Sequence, residues 1–121
     1  MRGLALLVVL LGPSALSLPS VARELISQEA PFHVGQNVTV CGTVAFANYA
    51  VQTKGQPTYL TLDQLHPRQV FIILIWGSDR PKFGEPEIKL LGRTVCANGL
   101  IESYKGKPQI VIEDPQQLSV K

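Results

Sequence analysis

An uninterrupted apolar run from Val70 to Trp76 restricts the fold more than any other feature of this chain. Most of its residues are β-branched or aromatic, which favours a strand over a helix, and Gly77 ends the run. A strand with one face in water would alternate apolar and polar residues. The sequence therefore predicts a strand that is covered on both faces, by another sheet, by a ligand or by a partner.

The first 22 residues have the pattern of a signal peptide. A basic start at Met1-Arg2 precedes an apolar run from Leu4 to Leu11, and small residues follow at positions 20–22. The run is shorter than the roughly 18 to 20 residues that cross a bilayer as a helix. We expect cleavage near residue 22, or alternatively after Ser17, giving a secreted or periplasmic protein with no stable membrane insertion; a retained anchor is the alternative.

The charge balance of the cleaved chain is nearly even. The full chain has 11 Lys+Arg and 9 Asp+Glu, so losing Arg2 leaves 10 against 9, a net charge of +1. Tracking phosphates requires clustered cations rather than a small surplus, so bulk charge does not by itself indicate nucleic-acid binding. The remaining length suits one small domain, which we place at residues 34–121 after a lead-in at 23–33.

The hydrophobic pattern after residue 34 has period two rather than 3.6, which indicates strands. Turn signals separate them at 54–57, 66–67 and 104–108, and the segment 78–91 has room for only one helical turn, near 87–91. Five strands with the longest connection after the third are typical of an all-β OB-fold, a five-stranded Greek-key barrel. The predicted strands are 37–46, 58–62, 70–76, 94–101 and 109–112.

Two cysteines occupy equivalent positions in their predicted strands. Cys41 and Cys96 each lie on the face opposite the small and apolar residues around them. If these strands are antiparallel neighbours, a disulfide can form in an oxidising compartment and would close a loop of about 55 residues. Two unpaired thiols are the alternative. We expect no metal site, because only His33 and His66 could add nitrogen ligands.

Four phrases of the chain resemble a known family. The most specific is the last, where Tyr104-Lys105-Gly106-Lys107-Pro108-Gln109-Ile110 is followed by Asp114-Pro115; the others are at 40–44, 57–62 and 70–83. Together they resemble the nucleic-acid-binding OB-fold family of the tRNA-anticodon type, in the secreted bacterial version whose members also occur beside extracellular nuclease domains. The resemblance spans about residues 34–120 and identifies the fold better than the ligand.

The resemblance implies a binding surface for single-stranded DNA or RNA. In such folds the surface lies across the second and third strands and the loops after the first and fourth, with aromatic rings as stacking platforms and cations along the backbone. Each candidate also has an ordinary structural explanation, as a loop residue, a core residue or a cap of the barrel. The candidates are Tyr49, Lys54, Tyr59, Trp76, Arg80, Tyr104, Lys105 and Lys107.

The predicted third strand departs from a phosphate-binding surface. Phe71, Ile73 and Ile75 share one face and Ile72, Leu74 and Trp76 the other, so neither face carries a charge. Such an apolar face suits a protein partner in an envelope or secreted assembly, or it is covered by a loop of the chain itself. A third hypothesis is that the barrel binds a small anionic ligand or an oligosaccharide.

Catalysis has little support in the sequence. His33 and His66 have no neighbouring nucleophile that indicates a nucleophile–base pair, and no Gly-rich phosphate loop or metal-ligand spacing occurs. We therefore predict a protein that is not an enzyme and has no cofactor, and that binds single-stranded nucleic acid weakly and without sequence preference. The alternative is a protein-interaction module that binds no nucleic acid.

Overall fold

The computed structural model describes residues 23–65 and 68–121. The predicted signal peptide and the predicted turn at His66-Pro67 lie outside the described residues. Short 3-10 helices at Ser27–Phe32, Arg80–Phe83 and Pro115–Gln117 connect the regular elements. Those elements are β1 (Glu24–Ile26), β2 (Asn37–Tyr49), β3 (Thr58–Leu62), β4 (Ile72–Ile75), α1 (Pro86–Lys89), β5 (Thr94–Tyr104), β6 (Lys107–Val111) and β7 (Leu118–Val120).

Strands β2, β3, β4, β6 and β5 follow one another around a closed barrel, because β5 also pairs with β2. β4 and β6 run parallel, and the other barrel pairs are antiparallel. The longest connection along the barrel, between β4 and β5, contains α1. This arrangement confirms the predicted five-stranded OB-fold. Within the described ranges, no helix is long and apolar enough to cross a membrane.

Two further strands extend the sheet beyond the barrel. β1 pairs in parallel with β2, and β7 pairs antiparallel with β5. The residues placed in the lead-in at 23–33 therefore contribute a strand and a 3-10 helix to the fold. The side chain of Asp63 ties this helix to the barrel, since it accepts hydrogen bonds from the Ser27 hydroxyl and from the backbone N–H of Thr43.

The apolar run around β4 divides between the two faces as its alternation predicts. Phe71, Ile73 and Ile75 are fully buried in the barrel core. On the outer face Leu74 is also covered, at 4% exposed, whereas Trp76 is 40% exposed. The second face of this strand is thus covered by the chain itself at its centre and open to solvent at its end.

The two cysteines face each other across β2 and β5. Cys41 is the register partner of Cys96, and their sulfur atoms form a disulfide that links residues 55 positions apart. The predicted bridge is therefore confirmed, and the alternative of two unpaired thiols is not. Among the described residues the sulfurs lie beside the Glu24 carboxylate, but both are consumed by the disulfide and are not available as thiolate ligands.

Candidate functional site

The outer face of β3, β4 and β6 forms the floor of a groove. Register pairs point to the same face of a sheet, and Tyr59 pairs with Leu74, which in turn pairs with Val111. Their neighbours along each strand, such as Leu60 and Ile73, point into the core. Tyr59 is therefore presented at the surface by the same alternation that buries Leu60.

One part of the groove, which we call the aromatic compartment, has a volume of about 270 Å³. It lies between the loop after β2 and the β5–β6 hairpin. Lys54, Tyr59, Trp76 and Tyr104, four of the eight predicted residues, meet here. The remaining lining residues are Thr53, Pro57, Leu74 and Gln109.

A second part, which we call the amide compartment, has a volume of about 310 Å³. Tyr59 lines both compartments and forms the wall between them. Phe46 is 40% exposed here, and Asn48 pairs with Tyr59 across β2 and β3. The full lining is Phe46, Asn48, Tyr59, Gln69 and Ile72.

Sequence reasoning missed Phe46, Asn48 and Gln69 as lining residues. Asn48 lies beyond the predicted end of the first strand at residue 46, whereas β2 continues to Tyr49. A shift of register between Val44 and Phe46 moves Phe46 to the outer face, opposite Thr61. Continued alternation from the buried Val44 would put Phe46 and Asn48 on the inner face, so no signal in the sequence placed them beside Tyr59.

A tight contact between two loops holds Trp76 in place. The backbone N–H of Gly77 donates a hydrogen bond to the carbonyl of Gly55 at 2.9 Å. Gly55 has a φ of +82°, and a Cβ at this position would lie 2.9 Å from the ring atoms Cε3 and Cζ3 of Trp76. Only glycine allows the loop after β2 to lie this close to the indole ring.

The β5–β6 hairpin presents two of the predicted lysines. Its turn residues Lys105 and Gly106 have φ angles of +52° and +78°, as in the two-residue turns that connect twisted strands. The Lys105 Nζ atom lies 5.3 Å from the centroid of the Tyr104 ring. Lys107 Nζ donates a hydrogen bond to the backbone carbonyl of Gln69 at 3.1 Å, which places this cation beside the amide compartment.

Tyr49 and Arg80, the other two predicted residues, meet each other and line neither compartment. The guanidinium carbon of Arg80 lies 3.8 Å from the centroid of the Tyr49 ring. Arg80 also donates hydrogen bonds to both carboxylate oxygens of Glu87. This bonding raises the pKa of Arg80, so the guanidinium stays charged. The cluster attaches the segment after β4 to the end of β2.

The charges around the groove are mainly positive. Ion pairs among the described residues lie elsewhere and occupy Arg23, Arg80, Lys82 and Lys121. Across residues 23–65 and 68–121, no ion pair involves Lys54, Lys105 or Lys107. Glu102, the register partner of Gln109, places one carboxylate on the same face. Within the part of the chain that the structure describes, the surface thus combines rings with three lysines that form no ion pair.

No protein-family model matches the sequence, and no curated protein matches it. Solved structures do resemble the fold. One is the OBody AM1L10 bound to hen egg-white lysozyme, with a TM-score of 0.57 and 16% identity over 83% of this chain and 93% of the OBody.

Two aspartyl-tRNA synthetases also resemble it. A putative enzyme from Leishmania major Friedlin has a TM-score of 0.54 and 11% identity, over 88% of this chain and 22% of the synthetase. The enzyme from Entamoeba histolytica has a TM-score of 0.50 and 12% identity, over 90% of this chain and 23% of the synthetase. The chain thus spans less than a quarter of either synthetase, and at these identities the likeness shows a shared OB-fold.

Proposed function

We propose that this protein binds single-stranded nucleic acid weakly in the groove formed by the aromatic and amide compartments. The observation that carries the proposal is the meeting of Tyr59, Trp76 and Tyr104 around one cavity. Exposed rings on an OB-fold surface are suited to stacking on unpaired bases, and each stacked base contributes about 1 to 3 kcal/mol. The likeness of the fold to parts of two aspartyl-tRNA synthetases supports the same class of ligand.

Three lysines supply the complementary charge. Lys54 lines the aromatic compartment, Lys105 lies on the hairpin turn and Lys107 is fixed to the backbone beside the amide compartment. In our proposal they contact phosphates while the rings hold the bases. The side chains that line both compartments stack, donate and accept hydrogen bonds, so the role we propose is binding without catalysis.

We also propose that the protein works outside the cytoplasm. The sequence pattern of a signal peptide and the disulfide between Cys41 and Cys96 support this location, because disulfides persist in oxidising compartments. The secreted bacterial relatives suggested by the sequence motifs fit the same location.

A titration of a fluorescent single-stranded oligonucleotide at two salt concentrations tests the binding proposal. If three lysines neutralise phosphates, the logarithm of the binding constant should fall with the logarithm of salt with a slope of roughly −2. Raising salt from about 50 to about 200 mM should then weaken binding roughly fifteenfold. If no binding of the oligonucleotide is detected at low salt, the proposed function is wrong.

A protein partner is the second candidate, and the apolar outer face favours it. Phe46 and Trp76 are each 40% exposed, and Ile72, on the outer face of β4, is half-buried. The OBody bound to lysozyme is an OB-fold protein that binds a protein. If the groove binds protein, a mass that rises with concentration, or co-purification with another exported protein, should be lost in Ile72→Glu. Ile72 is chosen because the more buried Leu74 would unfold the barrel if it were charged.

A further inference from the structure

The two compartments differ in chemistry although they share one wall. Lys54, two rings besides Tyr59 and the side chain of Gln109 line the aromatic compartment, and Gln109 is only 8% exposed. Among the described residues, Asn48 is the one exposed amide residue in the lining of either compartment. The amide compartment has one ring besides Tyr59, the apolar side chain of Ile72, and the amides of Asn48 and Gln69. A ring and a lysine bind any base with little discrimination, because every base has a π-face and every nucleotide has a phosphate. An amide has a fixed donor and a fixed acceptor, and it therefore distinguishes base edges.

We propose that the amide compartment is a base-selective subsite for one nucleotide, next to a non-selective stacking subsite in the aromatic compartment. The inference rests on the proposed function and adds a base preference that stacking alone does not give. Tyr59 would separate consecutive bases, because it lines both compartments.

The volume of the amide compartment suits a single heterocycle. Its volume of about 310 Å³ is at the lower end of the roughly 300 to 1,000 Å³ of small-molecule sites. Phe46 and Tyr59 face outward on neighbouring strands, two register positions apart. A base held against these rings would have its edge toward the amides that line the same cavity.

Asn48 is the side chain that we expect to read the base edge. It is exposed on β2, directly opposite Tyr59, and its amide is within the lining of the compartment. Gln69 is 6% exposed, and its backbone carbonyl accepts the hydrogen bond from Lys107. The same contact that fixes Gln69 therefore brings a cation close to the phosphate of the selected nucleotide.

The test compares the affinities of deoxyadenosine, deoxycytidine and thymidine octanucleotides at one low salt concentration. The full exported protein is titrated as the wild type and as Asn48→Leu, which keeps the side-chain size and removes the hydrogen-bonding groups. Asn37→Leu is the matched control, because Asn37 is an exposed asparagine on the same strand and lines neither compartment. Asn48→Val, with a residue that favours strands and has no hydrogen-bonding side chain, gives a second variant should leucine disturb the fold.

For the wild type we expect the dissociation constants of the best and worst octanucleotides to differ by about fivefold or more, the effect of one net hydrogen bond. The difference should shrink to within about twofold in Asn48→Leu and Asn48→Val. The difference should persist in Asn37→Leu. A wild type that binds all octanucleotides equally, or an undiminished preference in both Asn48 variants, would overturn the inference while leaving the proposed function intact. Failure to bind any octanucleotide would overturn both.

Discussion

At the scale of single residues, Tyr104 is the ring whose role in binding is easiest to isolate. Its side chain is 57% exposed at the end of β5 and lines the aromatic compartment. Because it contributes little to the core, Tyr104→Leu should leave the free energy of unfolding nearly unchanged. It should weaken oligonucleotide binding by about 1 to 3 kcal/mol, the contribution of one stacked base.

Phe32→Leu provides the control for Tyr104→Leu. Phe32 is 82% exposed and lies on the first 3-10 helix, outside both compartments. Fluorescence anisotropy should show unchanged affinity in this variant. Equal affinities in both variants would show that Tyr104 does not stack on a base.

Gly55 is a second residue with an isolated role, since it allows the close approach to the ring of Trp76. Gly55→Ala and Gly92→Ala both place alanine at a nearly equal positive φ, +82° and +81°, but only the former meets another group within 4 Å. Gly92→Ala should therefore cost about 1 kcal/mol of stability for the backbone alone. Gly55→Ala should cost about 1 to 3 kcal/mol more through overpacking.

Urea unfolding gives the stabilities of both glycine variants, and tryptophan emission gives the position of the ring, because Trp76 is the one tryptophan in the chain. The emission should shift in Gly55→Ala only. Equal stabilities and identical spectra would contradict the proposed packing of the loop after β2 against Trp76.

At the scale of elements, the β5–β6 hairpin combines a proposed phosphate contact with backbone strain. Lys105 adopts a φ of +52°, which asparagine tolerates better than lysine does. Lys105→Asn should therefore raise the free energy of unfolding by up to about 1 kcal/mol. Because it also removes a charge that we propose contacts a phosphate, it should reduce the steepness of the salt dependence of binding by about 0.7.

Lys105→Gln separates the two effects of Lys105→Asn. Glutamine removes the charge without the tolerance of asparagine for positive φ, so binding should weaken equally while stability does not rise. A Lys105→Asn variant no more stable than Lys105→Gln would argue against strain at this turn.

Four barrel strands were predictable because each has enough alternating residues to define its two faces, and β4 was predictable because its uninterrupted apolar run is rich in β-branched residues. The pattern located β3 at its observed bounds and β5 and β6 to within a few residues. β1 and β7 have three residues each, too few to show a period, and they depend on pairing with β2 and β5. Their positions are set by tertiary contacts that no local pattern encodes.

The candidate site was predictable to a similar degree. Lys54, Tyr59, Trp76 and Tyr104 line the groove because the predicted barrel topology brings β3, the end of β4, the loop after β2 and the β5–β6 hairpin together. The pairing of Arg80 with Glu87 and Tyr49 could not be read from the sequence, since it depends on how the segment after β4 folds back. The amide compartment was hidden by the register shift in β2.

At the scale of the whole molecule, the disulfide is a covalent link across the barrel closure. It joins β2 to β5 and spans 55 residues of a small domain. On the chain-entropy model, a closed loop of this length contributes about 4 kcal/mol. Urea unfolding of Cys41→Ala/Cys96→Ala should show a loss of this size.

Reduction of the native protein should reproduce the stability loss of the double variant. Adding reductant to the double variant itself should have no further effect. A wild type whose stability is the same with and without reductant would show that the link does not stabilise the barrel. The wild-type protein should gain mass on alkylation only after it has been reduced.

The central claim is that unpaired bases stack in the groove that contains Trp76. The most direct measurement is the emission of this single tryptophan while an unlabelled single-stranded oligonucleotide is added at low salt. We predict saturable quenching that reverses when salt is raised, because binding combines stacking with phosphate contacts. Emission that stays constant while anisotropy reports a bound oligonucleotide would place the ligand on another surface and contradict the account.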